Sequence, residues 1–181
     1  METVRILDRS FRLYLSEAEI QQRVREVAAQ ISRDLEGKNP LLLGVLNGAF
    51  VFAADLVRAV TIPAEISFIK VASYEGTSST GTVSNLIGLN ESLEGRTVVI
   101  VEDIIDSGLS MTHLVEAVKA MNPADVRICS LLVKPGNLKV ELDVPYCCFR
   151  IPNDFIVGYG LDYDRYGRGL RDIYVVTEDG H

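Results

Sequence analysis

The stretch Val98-Val99-Ile100-Val101-Glu102-Asp103-Ile104-Ile105-Asp106-Ser107-Gly108-Leu109-Ser110-Met111 concentrates the residue types that do chemistry. A buried strand runs into two adjacent carboxylates, then a tight Asp-Ser-Gly-x-Ser turn, then a helix. Free backbone N–H groups at a helix start form a cradle for an anion. Gly108 lets the backbone approach a phosphate closely, and Ser107 and Ser110 add hydroxyl donors. Glu102 and Asp103 would repel a phosphate, so they suit sugar hydroxyls or a metal ion. Asp106 is placed to accept a proton. Taken alone, the turn also suits an acidic helix cap made by Ser107 or Asp106. Two apolar-flanked carboxylates at the end of a buried strand favour the phosphate-and-sugar reading. No Gly-Lys-Ser/Thr and no GxGxxG after a strand occurs, which excludes a Walker A loop and a dinucleotide fingerprint.

Such a site needs elements to hold it. Ile20, Val24, Val27, Ala28, Ile31 and Leu35 form one apolar stripe, predicting a helix over Ser16 to Glu36. Ser16 with Glu19 makes a capping box, Leu15 with Ile20 a hydrophobic staple, and Gly37 a stop. Leu41 to Leu46 reads as a strand buried on both faces, broken by Asn47-Gly48. A helix over Phe50 to Val60 and a strand over Ala64 to Val71 follow. Ala72 to Ser84 is a polar loop of unusual length, the pattern of a lid. A third strand covers Thr97 to Val101, a turn Asp103 to Ser110. The next helix carries Met111, Leu114, Val115, Val118 and Met121 and is ended by Asn122-Pro123. A fourth strand covers Val126 to Val133. Beyond Pro135-Gly136 the helical signal stops, and short β segments follow near Tyr146 to Arg150, Phe155 to Val157 and Asp172 to Val176.

Strands alternating with helices predict an α/β fold: a twisted, mainly parallel sheet flanked by helices. The C-terminal part reads as a small hood of β structure and loops over the sheet's carboxyl edge, where ligands bind in such folds. We expect a single domain over residues 1–181, with a core of about 15–135. The hood takes in about 136–181 plus the N-terminal segment.

Composition narrows the partners. Lys and Arg total 18 against 25 Asp and Glu, a net charge of −7, which argues against nucleic acid but not against small phosphorylated ligands. No run reaches the roughly 18 apolar residues of a membrane span, and METVRILDRSFR lacks the apolar centre of a secretory signal. Cys129, Cys147 and Cys148 show no CxxC spacing and read as free thiols of a reducing, cytoplasmic compartment. His113 and His181 are too isolated for a zinc site.

The strand–acid–acid–turn stretch resembles the phosphoribosyl-pyrophosphate motif of the type I phosphoribosyltransferases: four apolar residues, two acids, two apolar residues, then Asp-Ser/Thr-Gly-x-Ser/Thr. The resemblance runs from about Leu15 to Val176, and within the family it is to the branch that salvages 6-oxopurines. Leu46-Asn47-Gly48 stands where the family has its pyrophosphate loop. Ser73-Tyr74 opens the long loop where it has a catalytic lid, and Lys134 ends the strand where it has a purine-reading lysine. Phe155-Ile156-Val157-Gly158-Tyr159-Gly160-Leu161-Asp162-Tyr163, followed by Arg168, is similar to its purine-stacking and metal segment. Three positions depart from the pattern. Asn47 stands where the family often has Lys, Leu109 fills a slot that is often basic, and Glu75 to Ser84 contains no Lys or Arg.

The resemblance implies Mg²⁺-dependent transfer of the 5-phosphoribosyl group from phosphoribosyl pyrophosphate to N9 of hypoxanthine or guanine. The products would be IMP or GMP and pyrophosphate. It implies that Asp106 takes the N7 proton, that Ser73 and Tyr74 close the site, and that Ser107, Gly108, Leu109 and Ser110 cradle the 5′-phosphate. Glu102 and Asp103 would hold the ribose hydroxyls, directly or through metal, and Asp162 would serve the metal. Lys134 would donate to purine O6, Phe155 would stack on the base, and backbone groups of Ile156 and Asp162 would read its edge. Leu46, Asn47, Gly48 and Arg168 would contact the pyrophosphate. A cis Leu46–Asn47 bond, a homodimer or homotetramer, and a cytoplasmic location are also implied. Two alternatives remain at this level: a xanthine-preferring sibling, and a non-catalytic regulator that senses phosphoribosyl pyrophosphate.

Overall fold

The computed structural model describes residues 2–71 and 86–178. It opens with a hairpin, β1 (Thr3–Ile6) and β2 (Arg9–Leu15), and then α1 (Glu17–Asp34). Ser16 caps α1: its hydroxyl accepts from the Glu19 N–H at 3.3 Å, and its own N–H donates to the Glu19 carboxylate at 2.8 Å. β3 (Leu41–Val45), α2 (Phe50–Ala59), β4 (Glu65–Val71) and a short β5 (Leu86–Ile87) follow. Then come β6 (Thr97–Ile105), α3 (Leu109–Lys119), β7 (Asp125–Val133), β8 (Tyr146–Arg150), β9 (Ile156–Val157) and β10 (Ile173–Val176). No helix among the described residues is long and apolar enough to cross a membrane.

Six strands form the main sheet in the order β5-β4-β3-β6-β7-β8, parallel except for β5. Alternation along the central strands divides two cores. Leu42 and Val99 face α1 and α2, where they meet Val24, Ile31 and Phe52. Leu41, Leu43 and Ile100 face α3, where they meet Met111, Leu114 and Val118. Both faces are covered, which is why these strands read as continuous apolar runs. The same alternation sends the adjacent Cys147 and Cys148 to opposite cores, and all three cysteines are free.

Neighbours β3 and β6 decide where a ligand goes. From β3 the chain moves outward to β4; from β6 it moves outward the other way, to β7 and β8. The loops leaving their C-terminal ends diverge and leave a crevice between them. The loops are residues 46–49 and 106–108, two of the stretches singled out by residue type.

A second, antiparallel sheet, β1-β2-β10-β9, is built from both ends of the chain. It closes around Phe11, Val157 and Tyr174. β2 was not anticipated, although Phe11, Leu13 and Leu15 alternate with Arg12 and Tyr14 in the period of a strand.

Two expectations need correction. The third core strand does not stop at Val101, because its ladder with β7 continues through Ile104↔Leu132 and Ile105↔Val133. Glu102 and Asp103 therefore sit inside the strand, and the turn shortens to Asp106–Gly108. The segment Tyr146–Arg150 is the edge of the main sheet rather than hood, pairing with β7 from Cys129↔Tyr146 to Val133↔Arg150. Tyr146 is fully buried there, and its hydroxyl donates to Asp34 at the end of α1 at 2.9 Å. The core thus runs past residue 135, to Arg150.

Candidate active site

The β6–α3 turn is held from below and beside. Gly108 takes the left-handed conformation (φ 81°) as the residue before α3. It is packed beneath Leu138 and Val140, which a Cβ would meet at 3.2 and 3.0 Å, so this position admits glycine on both counts. No side chain caps α3. The Ser107 hydroxyl accepts from the Leu109 N–H at 3.3 Å, and the Ser107 carbonyl accepts from the Lys139 N–H at 2.9 Å. Leu109 and Ser110 are exposed. The rest of the helix start presents N–H groups that no preceding turn can take.

Asp106 stands at the mouth of this turn between two donors. The Lys134 ammonium, at the end of the adjacent β7, lies 3.6 Å from its Oδ2. The Asn137 amide donates to its Oδ1 at 2.7 Å. Lys134 is only 8% exposed, so it is not a surface lysine that happens to end a strand. The Asn137 amide also donates to the Asn153 side-chain Oδ1 at 2.6 Å. That tie draws the segment carrying Phe155 toward the turn. Phe155 packs edge-on against Tyr163 (ring centroids 5.7 Å apart, 81° between planes) and near Phe11 at 6.3 Å. It remains 42% exposed, with open ring surface for a planar ligand. Ile156 is buried in β9, paired with Val175. Asn137 and Asn153 were not singled out from the sequence, since a lone Asn after a strand carries no spacing signal.

The acid pair faces the neighbouring loop. The Leu46–Asn47 peptide is cis, as the resemblance implied. A Cβ at Gly48 would run into the Asp103 carboxylate, 2.6 Å from its Cγ. Asp103 Oδ1 accepts from the Ile104 N–H at 2.7 Å, and Glu102 Oε1 accepts from the Asp103 N–H at 2.9 Å. Burial, reinforced by the neighbouring Asp103, pushes the Glu102 carboxyl well above the usual carboxylate range. A cation or a set of hydroxyl donors would relieve that penalty.

From the hood, Gly160 reaches the same loop: a Cβ there would strike the Gly48 carbonyl oxygen. Arg168 donates to the Gly160 carbonyl at 2.7 Å and pairs with Asp162 at 3.2 Å. The other Asp162 oxygen accepts from the Arg165 N–H at 2.8 Å. The loop at Gly48, the acid pair and the Gly160–Arg168 segment therefore converge. Ser73 and Tyr74 lie outside the described residues.

The family described as the phosphoribosyl transferase domain matches residues 14–164. The chain belongs to the phosphoribosyltransferase family. Within that family it is 42% identical to a hypoxanthine-guanine phosphoribosyltransferase of Streptococcus mutans, over 91% of this chain and 92% of that protein. It is 43% identical to the bifunctional protein TilS/HprT of Listeria monocytogenes over 93% of this chain, which spans 26% of that longer protein. The crystal structure of a Bacillus anthracis hypoxanthine-guanine phosphoribosyltransferase superposes with a TM-score of 0.83. It is 41% identical and covers 92% of this chain and 96% of that one. The mainly parallel sheet with helices on both faces is this family's fold.

Proposed function

We propose that the protein transfers the 5-phosphoribosyl group from phosphoribosyl pyrophosphate to N9 of hypoxanthine or guanine, forming IMP or GMP and releasing pyrophosphate. The observation that carries this reading is the pair Lys134 and Asp106. A buried ammonium and a carboxylate stand 3.6 Å apart at the ends of neighbouring strands. A 6-oxopurine presents O6 and N7 side by side on one edge. With N7 protonated, that edge is an acceptor beside a donor, the complement of Lys134 beside Asp106. Adenine offers an amino donor in place of O6, which leaves the Lys134 ammonium without its acceptor.

The geometry is compatible with the following roles. Asp106 accepts the N7 proton as N9 bonds to C1′ and positive charge builds on the ring. Phe155 stacks on the base, and backbone groups of Ile156 and Asp162 read its edge. Ser107, Gly108, Leu109 and Ser110 hold the 5′-phosphate through backbone N–H groups and hydroxyls. Glu102 and Asp103 hold the ribose hydroxyls, and their negative charge suits the cationic ribose of the transition state. Leu46, Asn47 and Gly48 offer backbone groups to the pyrophosphate, and Arg168 offers its guanidinium.

Mg²⁺ fits these residues. Among the described residues no group of three or more metal-ligating side chains gathers, so those residues alone form no cage. Mg²⁺ prefers one or two carboxylates together with substrate oxygens and water. Glu102 and Asp103 would supply the first, and Asp162, already paired with Arg168, would act through water. Bound Mg²⁺ would offset the charge of the pyrophosphate leaving group. We place the enzyme in the cytoplasm as a homodimer or homotetramer, a reading supported by its three free thiols and by exposed apolar side chains such as Phe50.

The test is a spectrophotometric assay of the purified protein with phosphoribosyl pyrophosphate, offering hypoxanthine, guanine, xanthine and adenine in parallel. Turnover of hypoxanthine and guanine, abolished by chelating Mg²⁺, is expected. Preference for xanthine would reassign the base. Binding of phosphoribosyl pyrophosphate without turnover of any base would make the protein a sensor.

A further inference from the structure

The turn Gly158–Leu161 is closed by reciprocal backbone bonds, Gly158 N–H to Leu161 O at 3.0 Å and Leu161 N–H to Gly158 O at 3.1 Å. Both central residues have positive φ, 49° at Tyr159 and 98° at Gly160. Gly160 adopts that conformation freely; a tyrosine does not, and needs its surroundings to hold it there. Those surroundings are specific. Tyr159 is 3% exposed, and its hydroxyl donates to Asp55 Oδ2 at 2.5 Å. Asp55 lies on α2, the helix that grows directly out of the loop at Gly48. Gln21 on α1 donates to the same oxygen at 2.8 Å, fixing the carboxylate from the other side. Burial and the Asp55 charge raise the Tyr159 phenol far above its ordinary value, so the proton stays on tyrosine and Asp55 is the acceptor.

Gly160 is the residue that this turn delivers to the site. It packs on the Gly48 carbonyl, its N–H donates to the Arg168 carbonyl at 2.9 Å, and its own carbonyl accepts from the Arg168 guanidinium. One helix thus carries the loop at its start and grips the opposing turn about one and a half helical turns later. We infer that Tyr159, tied through its hydroxyl to Asp55, is a positioning residue that holds Gly160 and Arg168 in register with the Gly48 loop. The latch sets the affinity for phosphoribosyl pyrophosphate without touching it. The base side of the site, built on Asp106, Lys134 and Phe155, does not hang from this latch.

The inference rests on the pyrophosphate side assigned above, and its test separates the two. Steady-state kinetics with each substrate varied in turn, and amide hydrogen exchange over residues 158–161, are measured for the wild type, Tyr159→Phe, Asp55→Ala and Asp55→Asn. Tyr159→Phe and Asp55→Ala should raise KM for phosphoribosyl pyrophosphate about fivefold, the scale of one lost hydrogen bond. KM for the base should stay within about twofold, and exchange at Gly160 should quicken. Asp55→Asn keeps an acceptor oxygen and should stay near the wild type. Unchanged exchange and KM in Tyr159→Phe, or an equal rise of both KM values, would overturn the latch. A wild type that turns over no base would instead remove the functional reading, and exchange at Gly160 would then decide the latch by itself.

Discussion

Two turns border the proposed active site, and they are made in opposite ways. Asp106–Gly108 is announced by its neighbours in sequence, although Asn137 and Lys139 also hold it. A buried strand delivers it, Gly108 supplies the left-handed residue, and α3 continues from it. Gly158–Leu161 is specified from a distance. Its tyrosine holds a conformation that side chains rarely adopt, and the partners that hold it there, Asp55 and Gln21, stand 104 and 138 residues earlier in the chain. The first turn holds the proton acceptor we propose and can be recognised as a string of letters. The second sets position, and its partners are adjacent only after folding.

The comparison breaks most visibly at Asp106. Asp106→Asn keeps the shape of the turn and removes the proton acceptor, so kcat should fall about 10²- to 10⁴-fold. KM for phosphoribosyl pyrophosphate should stay within about twofold. If kcat falls and that KM rises with it, proton transfer and the phosphate cradle are one unit and the turn is less self-contained than its letters suggest.

Lys134→Met is expected to come next. A hydrogen bond from a charged donor contributes about 1.5–3 kcal/mol, so kcat/KM for hypoxanthine should drop roughly 10- to 150-fold. Discrimination against adenine should shrink with it. The ratio of kcat/KM for hypoxanthine to that for adenine is the sharper readout. An unchanged ratio would show that Lys134 does not meet the purine O6.

Gly48→Ala probes the contact between the loop at Gly48 and Asp103 on β6. An added Cβ meets the Asp103 carboxylate, which is backed by the Ile104 N–H and cannot simply swing away. We expect KM for phosphoribosyl pyrophosphate to rise about tenfold, the equivalent of 1.4 kcal/mol, and kcat with base saturating to change less. Wild-type kinetics in this variant would mean that the loop at Gly48 adjusts without Asp103.

The contrast between the turns also explains what could be read in the sequence. The central strands, the three long helices and the acid–acid–turn stretch were legible because each is a local pattern: an apolar run, a 3.6-residue stripe, a glycine where the backbone reverses. The end of β6 was misjudged because Glu102 and Asp103 look like the end of a strand, yet pairing with β7 carries the ladder four residues further. β8 was assigned to the hood because no helix precedes it, and the bond from Tyr146 to Asp34 that fixes it under α1 spans 112 residues. Asn137 and Asn153 were invisible for the same reason: their meaning is a shared partner, not a spacing.

The smallest expected effect comes from the most local device. Ser16 and Glu19 satisfy each other's backbone N–H groups at the start of α1, far from Asp106 in the sequence and on the opposite side of the sheet from α3. Ser16→Ala should cost about 1 kcal/mol, which for a chain of this size lowers Tm by about 2–4 °C. Yet α1 also carries Gln21, one turn further on, which braces Asp55. If the cap only stabilises, KM for phosphoribosyl pyrophosphate is unchanged well below Tm. A rise in that KM at a temperature where the variant is fully folded would show that fraying of α1 reaches the Tyr159 latch. The distance-built turn would then depend on a helix cap as well as on Asp55 and the Gln21 that braces it.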